Sequence, residues 1–340
     1  MSIDKIVMRE PGWDADLEAV SSGGGIPTPG PGQVTVALEA SGVCHRDLID
    51  RAGRIPFLMT PIVPGHEGVG RVVAVGEGAA EWTVGDRVAT LHRDACGSCQ
   101  SCQAGETSLC QSGAFVLGLI ADGTYARHIV TTCNALYTAD AAMESGMAAT
   151  LHCTFGTAWR SLITVGGLNH GERVLITGAN GGVGMAAVQI AARRAREVVA
   201  VVRREGHEES LKALGATQVL VSPDNRFHYS VAPVDLALDC VGTPTFNAAL
   251  RSLRVGGRVV VVGNVTDERS SVNLGLLITM GKSVLGPGGA NRADMAACLA
   301  EHRREPFTSV VTSSLPLDQA DAAQRRLLAG GHHGRMVLKM

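Results

Sequence analysis

Residues 173–184, Arg-Val-Leu-Ile-Thr-Gly-Ala-Asn-Gly-Gly-Val-Gly, limit what this chain can fold into more than any other stretch. Val174, Leu175 and Ile176 make the short apolar run of a parallel strand covered on both faces. Gly178, Gly181 and Gly184 then punctuate a turn into a helix over 185–192. Gly181 lets the backbone approach a pyrophosphate, Gly184 lets the helix lie tight on the strand, and the helix N-terminus offers unpaired N–H groups to phosphates. Any tight strand-to-helix turn favours glycine, so this signal is weak alone. Its context strengthens it. Strand-like runs recur at 197–202, 218–221, 234–239 and 258–262, separated by segments able to form helices. That alternation predicts an α/β chain with a doubly wound parallel sheet of the Rossmann type.

A chain of 340 residues can bury a large core and should divide into about two domains. Hydrophobic residues are 45% and charged residues 18%, a globular balance. A net charge of -2 gives no electrostatic case for nucleic acid or an anionic membrane, either of which wants a basic surface. A small-molecule substrate is expected instead. The first residues lack a basic and then apolar signal segment, and no apolar run approaches the roughly 18 residues of a membrane span, so a cytoplasmic protein is expected. Four of the nine cysteines crowd between Cys96 and Cys110, a clustering that in a cytosolic enzyme points to metal rather than disulfides.

Residues 33–40 alternate apolar and polar side chains as a half-buried strand does, and lead into Ser41-Gly-Val-Cys-His-Arg-Asp47. A second loop carries Gly65-His-Glu-Gly-Val-Gly70, and valines alternate from Val69 to Val75, so the first domain is expected to be β-rich. Cys96, Cys99, Cys102 and Cys110 follow the spacing C-x2-C-x2-C-x7-C, which can wrap four thiolates tetrahedrally around one zinc. An iron–sulfur cluster competes, but the bacterial ferredoxin run has a closer fourth cysteine followed by proline; here Gln111 follows Cys110.

With these motifs in this order, together with Cys153 and the glycine turn, the chain resembles the zinc-dependent medium-chain dehydrogenases typified by alcohol dehydrogenases, over essentially its whole length. The resemblance implies a split, GroES-like catalytic domain, residues 1–153 and 290–340 with a structural zinc lobe at 92–112. A dinucleotide domain at 154–289 would be inserted between them, with the active site in the cleft. It implies a catalytic zinc held by Cys44, His66 and Cys153, with Glu67 a nearby carboxylate that can approach the metal. Two thiolates and an imidazole leave a fourth position open, through which zinc can polarise a carbonyl. The resemblance further places His45 on the cofactor pyrophosphate, Thr157 near the nicotinamide and His92 in the substrate pocket, and implies a homodimer or homotetramer.

The cofactor segment is Gly178, Ala179, Gly181, Gly182, Val183 and Gly184, a G-x-x-G-x-x-G variant with alanine where the first glycine of the usual pattern stands. In NAD binders the second strand usually ends in an acid; in NADP binders an arginine takes the 2′-phosphate. Here 198–202 runs into Arg203 and Arg204, so NADP(H) is expected over NAD(H), although an arginine pair can also be a solvated loop. Arg46 departs from the family, whose alcohol dehydrogenases carry Ser or Thr there to pass a proton. Arginine stays protonated and cannot relay. It could bind an anionic substrate by paired hydrogen bonds or be a structural ion-pair partner of Asp47 or Glu67. His92 could donate a proton near neutral pH or be an ordinary loop histidine.

These residues leave interconversion of an alcohol with an aldehyde or ketone as the first expectation. Reduction of a carbon–carbon double bond conjugated to a carbonyl or thioester is the second. A catalytically inactive NADPH-binding protein is the third, and the complete zinc set argues against it.

Overall fold

The computed structural model describes residues 3–340 except 22, 24, 114 and 267. The chain divides into two compact units, residues 1–152 with 311–340, and residues 153–310.

In the second unit the apolar runs become a six-stranded, wholly parallel sheet. Its spatial order is Gln218–Val221, Glu197–Val202, Arg173–Thr177, Val234–Asp239, Leu253–Val261 and Ser283–Leu285. Val174, Leu175, Ile176, Leu236, Ala237 and Leu238 are wholly enclosed, as strands covered on both faces require. The glycine turn feeds the helix Gly182–Ala192, which starts three residues earlier than its apolar pattern predicts because Gly181 serves as N-cap. Gly184 has a steric role: a Cβ there would collide with the Gly178 carbonyl and the Ala179 backbone. The expected strand at 258–262 begins instead at Leu253.

The first unit holds a seven-stranded sheet ordered Val311–Pro316, Arg335–Lys339, Gln33–Val43, Gly68–Val75, Arg87–Thr90 and Leu136–Thr138, with His128–Thr132 also on Gln33–Val43. Its pairs are antiparallel except the first. Val34, Val36, Val72, Val88, Ile129 and Leu136 fill one core. The helix Ser145–Thr150 runs on through the π-helical turn His152–Gly156, inside which the two units divide.

The tail departs from the expected boundary near 290. The helix Arg292–Arg304 belongs to the second unit, and the first unit resumes only at Val311. The cause is a buried polar anchor. Asp294 takes hydrogen bonds from Arg160 at 3.0 Å and from the Thr164 hydroxyl at 2.6 Å, while Met295 and Cys298 on the same helix are fully enclosed.

Candidate active site and zinc centres

Gln33–Val43 ends where Cys44 caps the helix His45–Arg51. The Asp47 side chain turns back to accept the Cys44 N–H at 2.8 Å through Oδ2, and its Oδ1 lies 3.0 Å from His66 Nδ1. A carboxylate can only accept, so Nδ1 carries a proton towards Asp47 and Nε2 is the nitrogen left to bind a metal, which would displace its proton. His66 and Glu67 sit in the loop before Gly68–Val75, both buried. Cys153 follows along the helical run from the first unit. One ligand atom each from Cys44, His66, Glu67 and Cys153 lies within 4.8 Å of the others.

This donor set fits a zinc ion. Two thiols, an available imidazole Nε2 and a carboxylate match the ligands zinc takes. The Glu67 carboxylate is fully enclosed, and neither of its oxygens accepts a hydrogen bond. Arg335 lies 3.0 Å from it in ion-pair contact and His66 Nε2 3.6 Å, and burial pushes its pKa up to about 8 against the pull of that arginine and histidine. A buried carboxylate without hydrogen bonds calls for further positive charge. Burial and the Arg46 charge push His66 down, but Asp47 outweighs them and brings it to about 9.

The cysteine lobe fits a second ion. The sulfurs of Cys96, Cys99, Cys102 and Cys110 lie within 4.8 Å of one another. Cys99 to Cys110 is 3.9 Å and Cys96 to Cys102 4.0 Å, close to the roughly 3.8 Å edge of a tetrahedron with zinc–sulfur bonds of about 2.3 Å. The backbone N–H groups of Cys96 and Cys99 already point at Cys110 and Cys96 sulfur, each at 3.3 Å.

Arg46 corrects one expectation. Its partner is neither Asp47 nor Glu67 but Asp50, 2.9 Å away and one helical turn on, and its Nη2 also donates to the Leu117 carbonyl at 2.7 Å. The reason is helical spacing: i and i+4 share a face, while Asp47 is committed to Cys44 and His66. Half-buried His92 faces the His152 ring at 5.3 Å between centroids. Burial and that second histidine hold its pKa well below the ordinary value, so its imidazole is neutral near pH 7. His45 opens the helix and Thr157 the turn Thr157–Trp159; both are half-buried.

In the second unit, Gly178 adopts a left-handed φ of +57°, and Gly182 and Val183 begin the helix. Arg203 and Arg204 are exposed just past Glu197–Val202. Among the described residues neither holds an ion pair or side-chain hydrogen bond.

Sequence reasoning missed Tyr125, whose hydroxyl donates to Asp47 Oδ2 at 2.9 Å, and His152 beside Cys153. Tyr125 lies 78 positions from its partner, and no local pattern marks such a contact.

Residues 30–141 match the alcohol dehydrogenase GroES-like domain, and 182–303 the zinc-binding dehydrogenase domain. The chain is 32% identical to an alcohol dehydrogenase of Geobacillus stearothermophilus, over 91% of this chain and 92% of that one. It belongs to the zinc-type medium-chain dehydrogenase/reductase family. It is also 31% identical to an acryloyl-coenzyme A reductase of Metallosphaera sedula, over 92% of this chain and 93% of that one. Its fold matches a cobalt- and zinc-bound thermostable alcohol dehydrogenase of Pyrobaculum aerophilum with a TM-score of 0.90 at 29% identity, over 99% of both chains. The protein is thus an alcohol dehydrogenase-like oxidoreductase, and among the described residues no helix is long and apolar enough to cross a membrane.

Proposed function

We propose that this enzyme is a zinc-containing, NADPH-dependent reductase of carbon–carbon double bonds conjugated to a carbonyl or thioester. The observation that carries this reading is Arg46. At the position where the family's alcohol dehydrogenases have a proton-passing hydroxyl, this chain has a permanently charged guanidinium tied to Asp50 and the Leu117 carbonyl. Conjugate reduction places hydride on the β-carbon and a proton on the α-carbon, so no alcohol proton has to be passed from the metal-side oxygen. The likeness to an acryloyl-coenzyme A reductase points the same way.

Bound NADPH would supply the hydride, and bound zinc the Lewis-acid pull on the carbonyl oxygen. Cys44, His66 and Cys153 would hold the catalytic zinc, with Glu67 poised between it and Arg335, and the four lobe cysteines the structural one. Gly178, Ala179, Gly181, Gly182, Val183 and Gly184 would cradle the pyrophosphate, with His45 a further contact to it and Thr157 beside the nicotinamide. Arg203 and Arg204 would take the 2′-phosphate. Neutral His92 is suited to donating a hydrogen bond to a substrate oxygen. Interconversion of an alcohol with an aldehyde or ketone is the second reading, favoured by the complete donor set and by the alcohol dehydrogenase relative.

Incubation with NADPH and cinnamaldehyde separates the two, because one molecule offers both targets; acryloyl-coenzyme A is run in parallel. Saturated aldehyde or propionyl thioester is the expected product. An unsaturated alcohol, with the thioester untouched, would put the second reading first. The cofactor assignment is tested separately by Arg203→Asp. Losing charge-assisted hydrogen bonds worth about 1.5–3 kcal/mol should lower the NADPH-to-NADH ratio of kcat/KM by roughly tenfold to a hundredfold. An unchanged ratio would refute the clamp.

A further inference from the structure

We propose that Tyr125 is a positioning residue for the Cys44/His66 metal centre, acting through Asp47; this rests on the reading that the centre holds zinc. Asp47 ties the two ligands together, taking the Cys44 N–H on Oδ2 and facing His66 Nδ1 with Oδ1. Nothing in that arrangement decides which oxygen serves which ligand. The Tyr125 hydroxyl does, because it donates to Oδ2 at 2.9 Å and so leaves Oδ1 to the imidazole.

The tyrosine is itself immobilised from several directions. It is wholly enclosed, and its N–H donates to the Pro64 carbonyl at 3.0 Å. Thr124 N–H reaches the Gly65 carbonyl at 3.2 Å, and the Thr124 hydroxyl touches the Ser41 hydroxyl at 2.6 Å and the Glu67 carbonyl at 3.3 Å. Residues 123–125 therefore zip along the loop that carries His66 and Glu67. Gly65 is where the fit is closest. Its φ is +93°, and a Cβ there would run into the Tyr125 ring and the Thr124 hydroxyl. Both the ring and the hydroxyl of Tyr125 thus bear on His66, the ring through Gly65 and the hydroxyl through Asp47.

Outer partners of metal-bound histidines typically tune metal affinity by 10- to 100-fold. The test is zinc release from the purified, fully loaded protein to 4-(2-pyridylazo)resorcinol, followed by absorbance. Wild type should release zinc in two phases, and the phase missing from Cys44→Ser belongs to this centre. Tyr125→Phe removes only the hydroxyl. It should speed that phase about tenfold while leaving the cysteine-lobe phase unchanged, and cobalt exchanged into the centre should show a shifted visible spectrum. Acting through Asp47, it should add nothing to Asp47→Asn in the double variant. An unchanged phase, equal acceleration of both phases, loss of both zincs together, or full additivity with Asp47→Asn would each overturn the inference. A wild-type chain with only the lobe phase would instead refute the zinc reading on which it rests.

Discussion

Replacing Cys44 by serine is expected to remove one of two zinc ions per chain and to cut kcat/KM by about a thousandfold or more. The size follows from the chemistry assigned to the centre. Lewis-acid stabilisation of charge developing on a carbonyl oxygen is worth several kcal/mol, and about 4 kcal/mol corresponds to a factor of roughly a thousand. A serine hydroxyl does not ionise near neutral pH and leaves the ion with one thiolate and one imidazole. The backbone should survive, because Cys44 contributes its N–H to Asp47 whatever its side chain, and the four lobe cysteines lie elsewhere in the sequence. Metal analysis and steady-state kinetics on the same preparation check both halves. Two zinc ions retained with full activity would mean that Cys44 is one of the small buried thiols common in cores, despite its three neighbours within 4.8 Å.

What could be read before the structure shares one physical property: it is written locally. The glycine turn is set by close approach within a few residues, so Gly184 could be assigned its packing role from spacing alone. The lobe cysteines are close in sequence, and a C-x2-C-x2-C-x7-C pattern already limits where four sulfurs can go. Strands buried on both faces also announce themselves, and Glu197–Val202 and Val234–Asp239 lie where the apolar runs predicted, as does the partly buried edge strand Gln218–Val221.

What could not be read depends on partners that only folding brings together. The Asp50 partnership of Arg46 follows once the helix is known to start at His45, because only a helix brings positions 46 and 50 to one face. From sequence Asp47 is a candidate ion-pair partner of Arg46; its dual service to Cys44 and His66 appears only when residues 44 and 66 are neighbours. The tail shows the same limit. The polar and apolar residues of 290–300 announce a helix, observed at Arg292–Arg304, yet nothing in them says which sheet they join. That is decided by Arg160, 134 positions away.

This anchor carries the second large prediction: Asp294→Ala should destabilise the second unit by about 3–5 kcal/mol, on the order of 10 °C in its thermal midpoint. The attraction itself is not the source of that cost. Arg160 and Asp294 are 2% and 4% exposed, and desolvating such a pair consumes most or all of its Coulombic gain. Removing the carboxylate alone, however, leaves the Arg160 charge buried without its anionic partner, still donating to the Pro287 carbonyl. It also deprives the Thr164 hydroxyl of its acceptor and breaks the cap in which Asn291 and Asp294 exchange side-chain to backbone bonds. The double variant Arg160→Met with Asp294→Leu removes both charges and refills the volume, so it should recover most of the loss. Differential scanning calorimetry of the three proteins distinguishes the accounts. A double variant as unstable as Asp294→Ala would assign the loss to the cap and the Thr164 bond, whereas recovery would assign it to the uncompensated Arg160 charge that Asp294→Ala leaves buried.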